Sequence, residues 1–180
     1  AVFISGTGSN LKNLIKFSKI KEAPISINLV ISNVHKAKGL RHADQANINK
    51  KIFNFKNIKD TEKKILTLLK REKINFICLA GFMKILSKNF VKKFDGKIIN
   101  IHPSLLPKYK GLNTHQRAIA NNDKFTGCTV HYVTEKLDSG KMIMQKKIRV
   151  AVKDDVSSLT KKVLEQEHKL YPAAIMKVFN

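Results

Sequence analysis

Val2-Phe3-Ile4-Ser5-Gly6-Thr7-Gly8-Ser9-Asn10 begins as an apolar strand-like run, continues as a glycine-containing turn and ends at the start of an amphipathic stretch. This order is typical of the first strand and helix of an α/β sheet. The glycines allow close backbone approach, and free amides at a helix start favour an anion such as phosphate. Leu11 stands where a dinucleotide fingerprint needs glycine, and Ser32-Asn33 supplies no acid. The turn therefore disfavours a dinucleotide and leaves a phosphate monoester, although many α/β proteins turn tightly here without a ligand.

The same alternation continues along the chain. Apolar runs predict strands at 2–5, 25–31, 52–55, 76–80 and 97–101, and amphipathic stretches predict helices at 10–19, 39–47, 61–73 and 87–94. Such alternation indicates an α/β protein with a Rossmann-like open, mostly parallel twisted sheet and helices on both faces. After Ile101 we expect a helix near 114–121 and an antiparallel pair of C-terminal strands near 126–133 and 142–150. We expect one domain over 1–180.

The charge of the chain is unusual, with 35 basic and 13 acidic residues and a net charge of +22. Nucleic-acid binding is one explanation of such a charge. However, the excess is almost entirely Lys, it is spread along the chain, and no aromatic-interleaved patch accompanies it, whereas base readout favours Arg. The composition therefore favours a solvated Lys-rich surface, which could also attract anionic substrates.

The cysteines and the apolar runs indicate the cellular compartment in which the protein is expected. Cys78 and Cys128 lie far apart in the sequence and are expected to be reduced thiols. No apolar stretch approaches the roughly 18 residues that a membrane span requires. No charged leader precedes the first apolar run, so secretion is not expected. These features predict a cytoplasmic protein.

Asn100 and His102 lie at the carboxyl end of a predicted strand. Ligands of open α/β sheets bind at that edge, and residues i and i+2 of a strand share a face. An amide and an imidazole would thus be offered to one substrate, the amide to an oxyanion and the imidazole to a proton. The alternative for a single His is a structural role.

Three further groups have both a functional and a structural interpretation. Asp138 could orient a His, but Asp before Ser-Gly is equally a turn residue. Glu167 lies on a helical stripe of apolar residues in the segment 156–178, which requires either a partner or a solvated position at the edge of the stripe. Pro172 is expected to kink or break that helix. Cys128 and His131 would point to opposite faces of one strand, so no metal site is expected.

Taken together, the motifs resemble phosphoribosylglycinamide formyltransferases, a branch of the folate-dependent formyltransferase family. The resemblance covers nearly the whole chain and rests on Ser5-Gly6-Thr7-Gly8-Ser9-Asn10-Leu11, Leu79-Ala80-Gly81-Phe82-Met83-Lys84-Ile85-Leu86, Asn100-Ile101-His102-Pro103-Ser104-Leu105-Leu106-Pro107, Leu137-Asp138-Ser139-Gly140 and Gln166-Glu167-His168-Lys169-Leu170-Tyr171-Pro172. The third motif marks the wider family. The first and last narrow the resemblance to this branch.

The resemblance implies that 10-formyltetrahydrofolate, as co-substrate, gives its formyl group to the amine of glycinamide ribonucleotide in purine synthesis. It implies three catalytic residues, Asn100, His102 and Asp138. The residues that it assigns to ribonucleotide binding are Gly8, Ser9, Asn10 and Glu167. Those that it assigns to folate binding are Met83, Lys84, Ile85, Leu86, Thr134, Glu135, Lys136 and Leu137.

Two relatives with the same core chemistry remain as alternatives. Methionyl-tRNA formyltransferase would suit the positive charge, but it normally adds a C-terminal domain for which this chain has no room. Formyltetrahydrofolate hydrolase would carry an additional N-terminal domain. We therefore expect small-molecule substrates, no nucleic acid, membrane or metal, and either a monomer or a homodimer.

Overall fold

The computed structural model describes residues 1–180. The chain forms two compact units, residues 1–100 and residues 101–180. The strands are β1 Val2–Ile4, β2 Leu29–Ser32, β3 Asn49–Ile52, β4 Phe76–Leu79, β5 Lys97–His102, β6 Phe125–Tyr132 and β7 Met142–Arg149. The helices are α1 Ser9–Phe17, α2 Leu40–Gln45, α3 Ile58–Arg71, α4 Lys88–Lys93, α5 Thr114–Ala120 and α6 Val156–Phe179.

The first unit contains the parallel part of the sheet. β1 pairs in parallel with β2 and β4, β2 pairs with β3, and β4 pairs with β5. β1, β2 and β4 are fully buried, as expected of parallel strands covered by helices. The carboxyl ends of these strands therefore lie at one edge, from which the loops after β1 and β4 depart.

The second unit contains the antiparallel part. β6 and β7 pair from Phe125↔Arg149 onward, with a register shift at Val130/His131. The pairing reflects their short connection, since a short loop cannot link parallel strands. The sheet has seven strands in all, and the expected fold class, mostly parallel with an antiparallel C-terminal pair, is confirmed. The prediction of a single domain stays a prediction.

Two predicted strands were misplaced. β2 begins at Leu29 rather than Ile25, because pairing with β3 begins at Leu29↔Asn49. β3 begins at Asn49, three residues before the expected range 52–55. The prediction missed its start because the strand is exposed along its whole length and carries no apolar run. The apolar signal at 52–55 comes partly from Phe55, which is buried after the strand has ended.

Helix α6 carries the predicted apolar stripe, and its central members Leu159, Val163, Leu170 and Ala174 are buried. Pro172 lies inside the helix, which continues to Phe179, so the expected break is wrong and the expected kink stays a prediction. A proline removes its own N–H donor, and the buried side chains on both sides of it keep the helix packed. No helix of the chain combines the length and the apolarity that a membrane crossing demands.

Candidate active site

Strand β5 carries the first two candidate residues. Asn100 is half-buried and His102 is buried, and they are separated by the buried Ile101. Because side chains alternate across a strand, Asn100 and His102 share one face of β5 and Ile101 points to the other. The local backbone therefore arranges the amide and the imidazole as the sequence predicts.

Asp138 lies between two histidines in the second unit. Its Oδ2 is 3.4 Å from His102 Nδ1, and its Oδ1 is 3.6 Å from His131 Nε2. The Asp138 side chain is 8% exposed, and its Oδ2 accepts a hydrogen bond from Gly111 N at 2.8 Å. The backbone of Asp138 has φ 44°, a left-handed conformation that Asp tolerates better than most residues. The backbone of Asp138 therefore has a turn conformation, as one interpretation expects, and its carboxylate also lies beside a His, as the other expects.

The outer nitrogens of the two histidines face backbone carbonyls. His102 Nε2 lies 2.8 Å from Tyr109 O, and His131 Nδ1 lies 2.9 Å from Tyr132 O. A carbonyl only accepts hydrogen bonds, so each of these nitrogens must carry a proton. A nitrogen that faces Asp138 then bears a proton only if its ring is an imidazolium. The arrangement thus provides a site for a cationic ring beside the carboxylate.

Burial lowers the pKa of two histidines of the second unit. It lowers the pKa of His131, although the Tyr132 carbonyl and Asp138 oppose that effect. It also lowers the pKa of His115, and the charge of His102 lowers it further. Both of these rings are therefore biased toward the neutral form. The role of His131 beside Asp138 was missed from the sequence. The only sequence feature that could have indicated this position is that His131 is a polar residue near the end of the predicted strand 126–133.

The thiol of Cys128 is an unsuitable nucleophile or ligand. Burial first, and then the charge of Glu167, raise its pKa to about 12. Thiolate is the reactive and metal-binding form, and this thiol does not ionise near neutral pH. No three His, Cys, Asp or Glu side chains converge as a metal-binding group.

Glu167 is buried on α6, with 7% of its surface exposed. The alternative of a solvated position at the edge of the stripe is therefore wrong. Its effect on the Cys128 thiol indicates that the carboxylate lies near β6.

The turn after β1 has the backbone geometry that close approach requires. Gly8 has φ 73°, and a Cβ there would lie 2.5 Å from the Cα of Gly39. Gly39 N also donates to Gly6 O at 3.0 Å, which joins the turn to the start of α2. Helix α1 begins directly afterwards at Ser9, and Asn10 is buried. Only glycine fits at position 8, and the amides at the start of α1 follow it.

The predicted folate segments are two exposed loops. Met83 is 62% exposed and Ile85 is 68% exposed in the loop after β4, whereas Leu86 is buried. The second segment, 134–137, is exposed throughout, and Leu137 is 48% exposed. Exposed apolar side chains next to polar groups are typical of ligand-binding surfaces.

The chain combines a mostly parallel α/β sheet with Asn100 and His102 on one strand and with the nearly buried Asp138 beside His102. The sequence profile of the formyl transferase family matches residues 1–175, and the chain belongs to this family. It is 43% identical to phosphoribosylglycinamide formyltransferase of Haemophilus influenzae, over 97% of this chain and 84% of that protein. It is 44% identical to the human trifunctional purine biosynthetic protein adenosine-3, over 99% of this chain but only 18% of that protein.

A solved structure agrees with these relatives. Phosphoribosylglycinamide formyltransferase from Brucella melitensis superposes with a TM-score of 0.93 at 42% identity, covering 98% of this chain and 93% of that one. This chain and the Brucella melitensis enzyme therefore share both the fold and a substantial part of their sequence.

Proposed function

We propose that the protein transfers the formyl group of 10-formyltetrahydrofolate to the amine of glycinamide ribonucleotide. The observation that carries this proposal is Asp138 between His102 and His131, on a chain of the formyl transferase family. Phosphoribosylglycinamide formyltransferases as similar as 43% in sequence suggest the acceptor.

The proposed reaction is a direct transfer. The amine nitrogen attacks the formyl carbon, and a tetrahedral species forms in which the former carbonyl oxygen carries the negative charge. Asn100 and protonated His102 would stabilise this oxygen, each well-placed donor contributing roughly 3–4 kcal/mol. The bond from the formyl carbon to folate N10 then breaks. The attacking amine loses a proton, and N10 gains one.

Asp138 would act on the proton transfers. Its carboxylate lies close enough to His102 to favour the imidazolium, and it could accept a proton from the amine through a water molecule. His102 would donate to the oxyanion from Nε2, which must then exchange the Tyr109 carbonyl for the substrate oxygen. Such an exchange is plausible because catalytic hydrogen bonds often form only with substrate present.

Binding roles follow the family motifs. We assign the ribonucleotide phosphate to Gly8, Ser9 and Asn10, supported by the glycine turn and the amides at the start of α1. We assign the amino end of that substrate to Glu167, because a carboxylate can pair with an amine and Glu167 lies on α6 within the closing family motif. The folate would contact two segments, Met83-Lys84-Ile85-Leu86 and Thr134-Glu135-Lys136-Leu137, supported by their exposed apolar side chains.

The test is an absorbance assay of 10-formyltetrahydrofolate consumption with three acceptors: glycinamide ribonucleotide, charged initiator tRNA and water. We expect turnover with the ribonucleotide only. Turnover with tRNA alone would indicate a methionyl-tRNA formyltransferase. Turnover with water alone would indicate a formyltetrahydrofolate hydrolase. Absence of turnover with every acceptor would refute formyl transfer itself.

A further inference from the structure

The loop Gly81–Leu86 must hold exposed apolar side chains in a defined geometry. Met83 and Ile85 point to solvent, and Gly81 has φ 72° at the start of the loop. Exposed loops are usually mobile unless something fixes them. The contacts of this loop therefore determine how accurately Met83 and Ile85 can be presented.

Ser5 fixes the first half of the loop. Its amide donates to Gly81 O at 3.1 Å, and its Oγ accepts from Met83 N at 2.7 Å. The same Oγ donates its proton to Asn33 Oδ1. One hydroxyl thus joins the loop after β4 to the residues that follow β1 and β2.

Phe82 adds an apolar contact at the same end. Its ring lies edge-on to Phe3 at 5.4 Å and to Phe55 at 5.7 Å between centroids. Aromatic pairs at such distances and angles are favourable. Phe82 therefore holds the loop on the core while its neighbour Met83 remains exposed.

Glu62 fixes the residue that follows the loop. This carboxylate of α3 is 2% exposed. Its Oε1 accepts from Ser87 N at 2.7 Å, and its Oε2 accepts from the Ser87 hydroxyl. Ser87 Oγ also accepts from Phe90 N at 3.1 Å and so caps α4. Both oxygens of Glu62 are used to hold a single residue, Ser87.

A purely structural contact between α3 and α4 is the alternative explanation of Glu62. Apolar residues make such a contact more cheaply, because a buried carboxylate loses its hydration. Two hydrogen bonds from one residue, however, fix direction as well as distance. The arrangement suits a requirement for accurate placement of the segment that ends at Ser87.

We propose that Glu62 and Ser5 are positioning residues that fix the loop Gly81–Leu86 from its two ends for binding of the folate substrate. Neither residue contacts the reacting groups in this proposal. The inference rests on the proposed function, because it requires that Met83 and Ile85 contact the folate. It predicts that loosening either anchor weakens folate binding selectively.

The experiment compares steady-state kinetics of Glu62→Ala, Glu62→Gln and the wild-type enzyme with both substrates varied. We expect Glu62→Ala to raise the KM for 10-formyltetrahydrofolate about tenfold, which corresponds to a loss of about 1.4 kcal/mol. The KM for the ribonucleotide and kcat should change much less. Glu62→Gln retains an acceptor for Ser87 N and should restore most of the folate affinity.

Asp60→Ala is the matched control, since Asp60 is an exposed carboxylate in the first turn of the same helix. It should leave both KM values unchanged. Hydrogen exchange of the 81–87 amides in the full chain should accelerate in Glu62→Ala and not in Asp60→Ala. If Glu62→Ala fails to fold, Ser5→Ala at the other anchor must show the same selective rise in folate KM.

Equal increases in both KM values, or a fall in kcat alone, would overturn the inference, as would wild-type kinetics in Glu62→Ala. Binding of tetrahydrofolate, measured by calorimetry, separates this failure from that of the proposed function. If the wild-type enzyme binds the folate and turns over while the variants behave identically, only the positioning role fails. If the wild-type enzyme neither binds folate nor turns over, the proposed function fails, and the inference with it.

Discussion

Asp138 and Asp154 are two nearly buried carboxylates of the second unit, with side chains 8% and 3% exposed. Asp154 is surrounded by permanent donors: Lys162 Nζ lies 2.7 Å from each oxygen, and Ala151 N donates at 2.8 Å. Asp138 has one backbone donor, Gly111 N, and the two side-chain nitrogens that flank it belong to histidines at 3.4 and 3.6 Å.

The difference concerns which protons can move. The hydrogen bond from Lys162 is the main cause that holds the pKa of the Asp154 carboxyl below its usual value. The ammonium group of Lys162 therefore favours the carboxylate form of Asp154 at neutral pH. Histidine is the side-chain type that ordinarily exchanges a proton near neutral pH, and two histidines flank Asp138. A carboxylate with such neighbours suits proton transfer, whereas one with a lysine suits a fixed structural contact.

The largest effect should come from Asp138→Asn. The amide keeps the size of the side chain but loses the negative charge that favours an imidazolium and accepts a proton. We expect kcat to fall by about 10²–10⁴, the usual contribution of acid–base catalysis, with ribonucleotide affinity nearly unchanged. Rapid-quench kinetics and calorimetry measure the two quantities. Turnover at the wild-type rate would remove Asp138 from the mechanism.

A smaller effect should separate the two contacts of His131. Asn at this position can imitate Nδ1 and keep the bond to the Tyr132 carbonyl, whereas Gln can place its amide where Nε2 faces Asp138. If His131 acts through Asp138, His131→Asn should lower kcat about tenfold, equivalent to about 1.4 kcal/mol. His131→Gln should lower it less. The reverse order would mean that His131 serves only the backbone at Tyr132.

The local parts of the site could be predicted from the sequence. Asn100 and His102 share a face because the strand period acts over two residues. The buried strands of the first unit could be found because each is a continuous apolar run. Strand β3 could not, since an exposed strand has no apolar pattern and is specified by its pairing with β2.

Long-range contacts explain what the sequence did not reveal. Asp138 meets His102 and His131 only after a β-hairpin and a loop have formed, and no local pattern records that meeting. Glu62 is similar, because its position on an amphipathic helix does not indicate that Ser87 covers it. The functional interpretation of Asp138 came from family resemblance, and that of Glu62 came from the fold.

The smallest effect should come from Asp154→Asn, and it should be an effect on stability rather than on catalysis. A carboxyl whose pKa is lowered by folding stabilises the native state above its unfolded pKa, and this contribution is lost as pH falls through the folded value. We therefore expect the variant to have a Tm a few degrees below wild type at neutral pH. The gap should begin to narrow as pH falls below the ordinary carboxyl pKa of about 4, and it should close only below the lowered pKa of the folded carboxyl. Calorimetric scans across that pH range test the gap, while kcat of the folded variant should match wild type. A gap independent of pH would mean that side-chain shape, rather than the charge that faces Lys162, sets the contribution of Asp154.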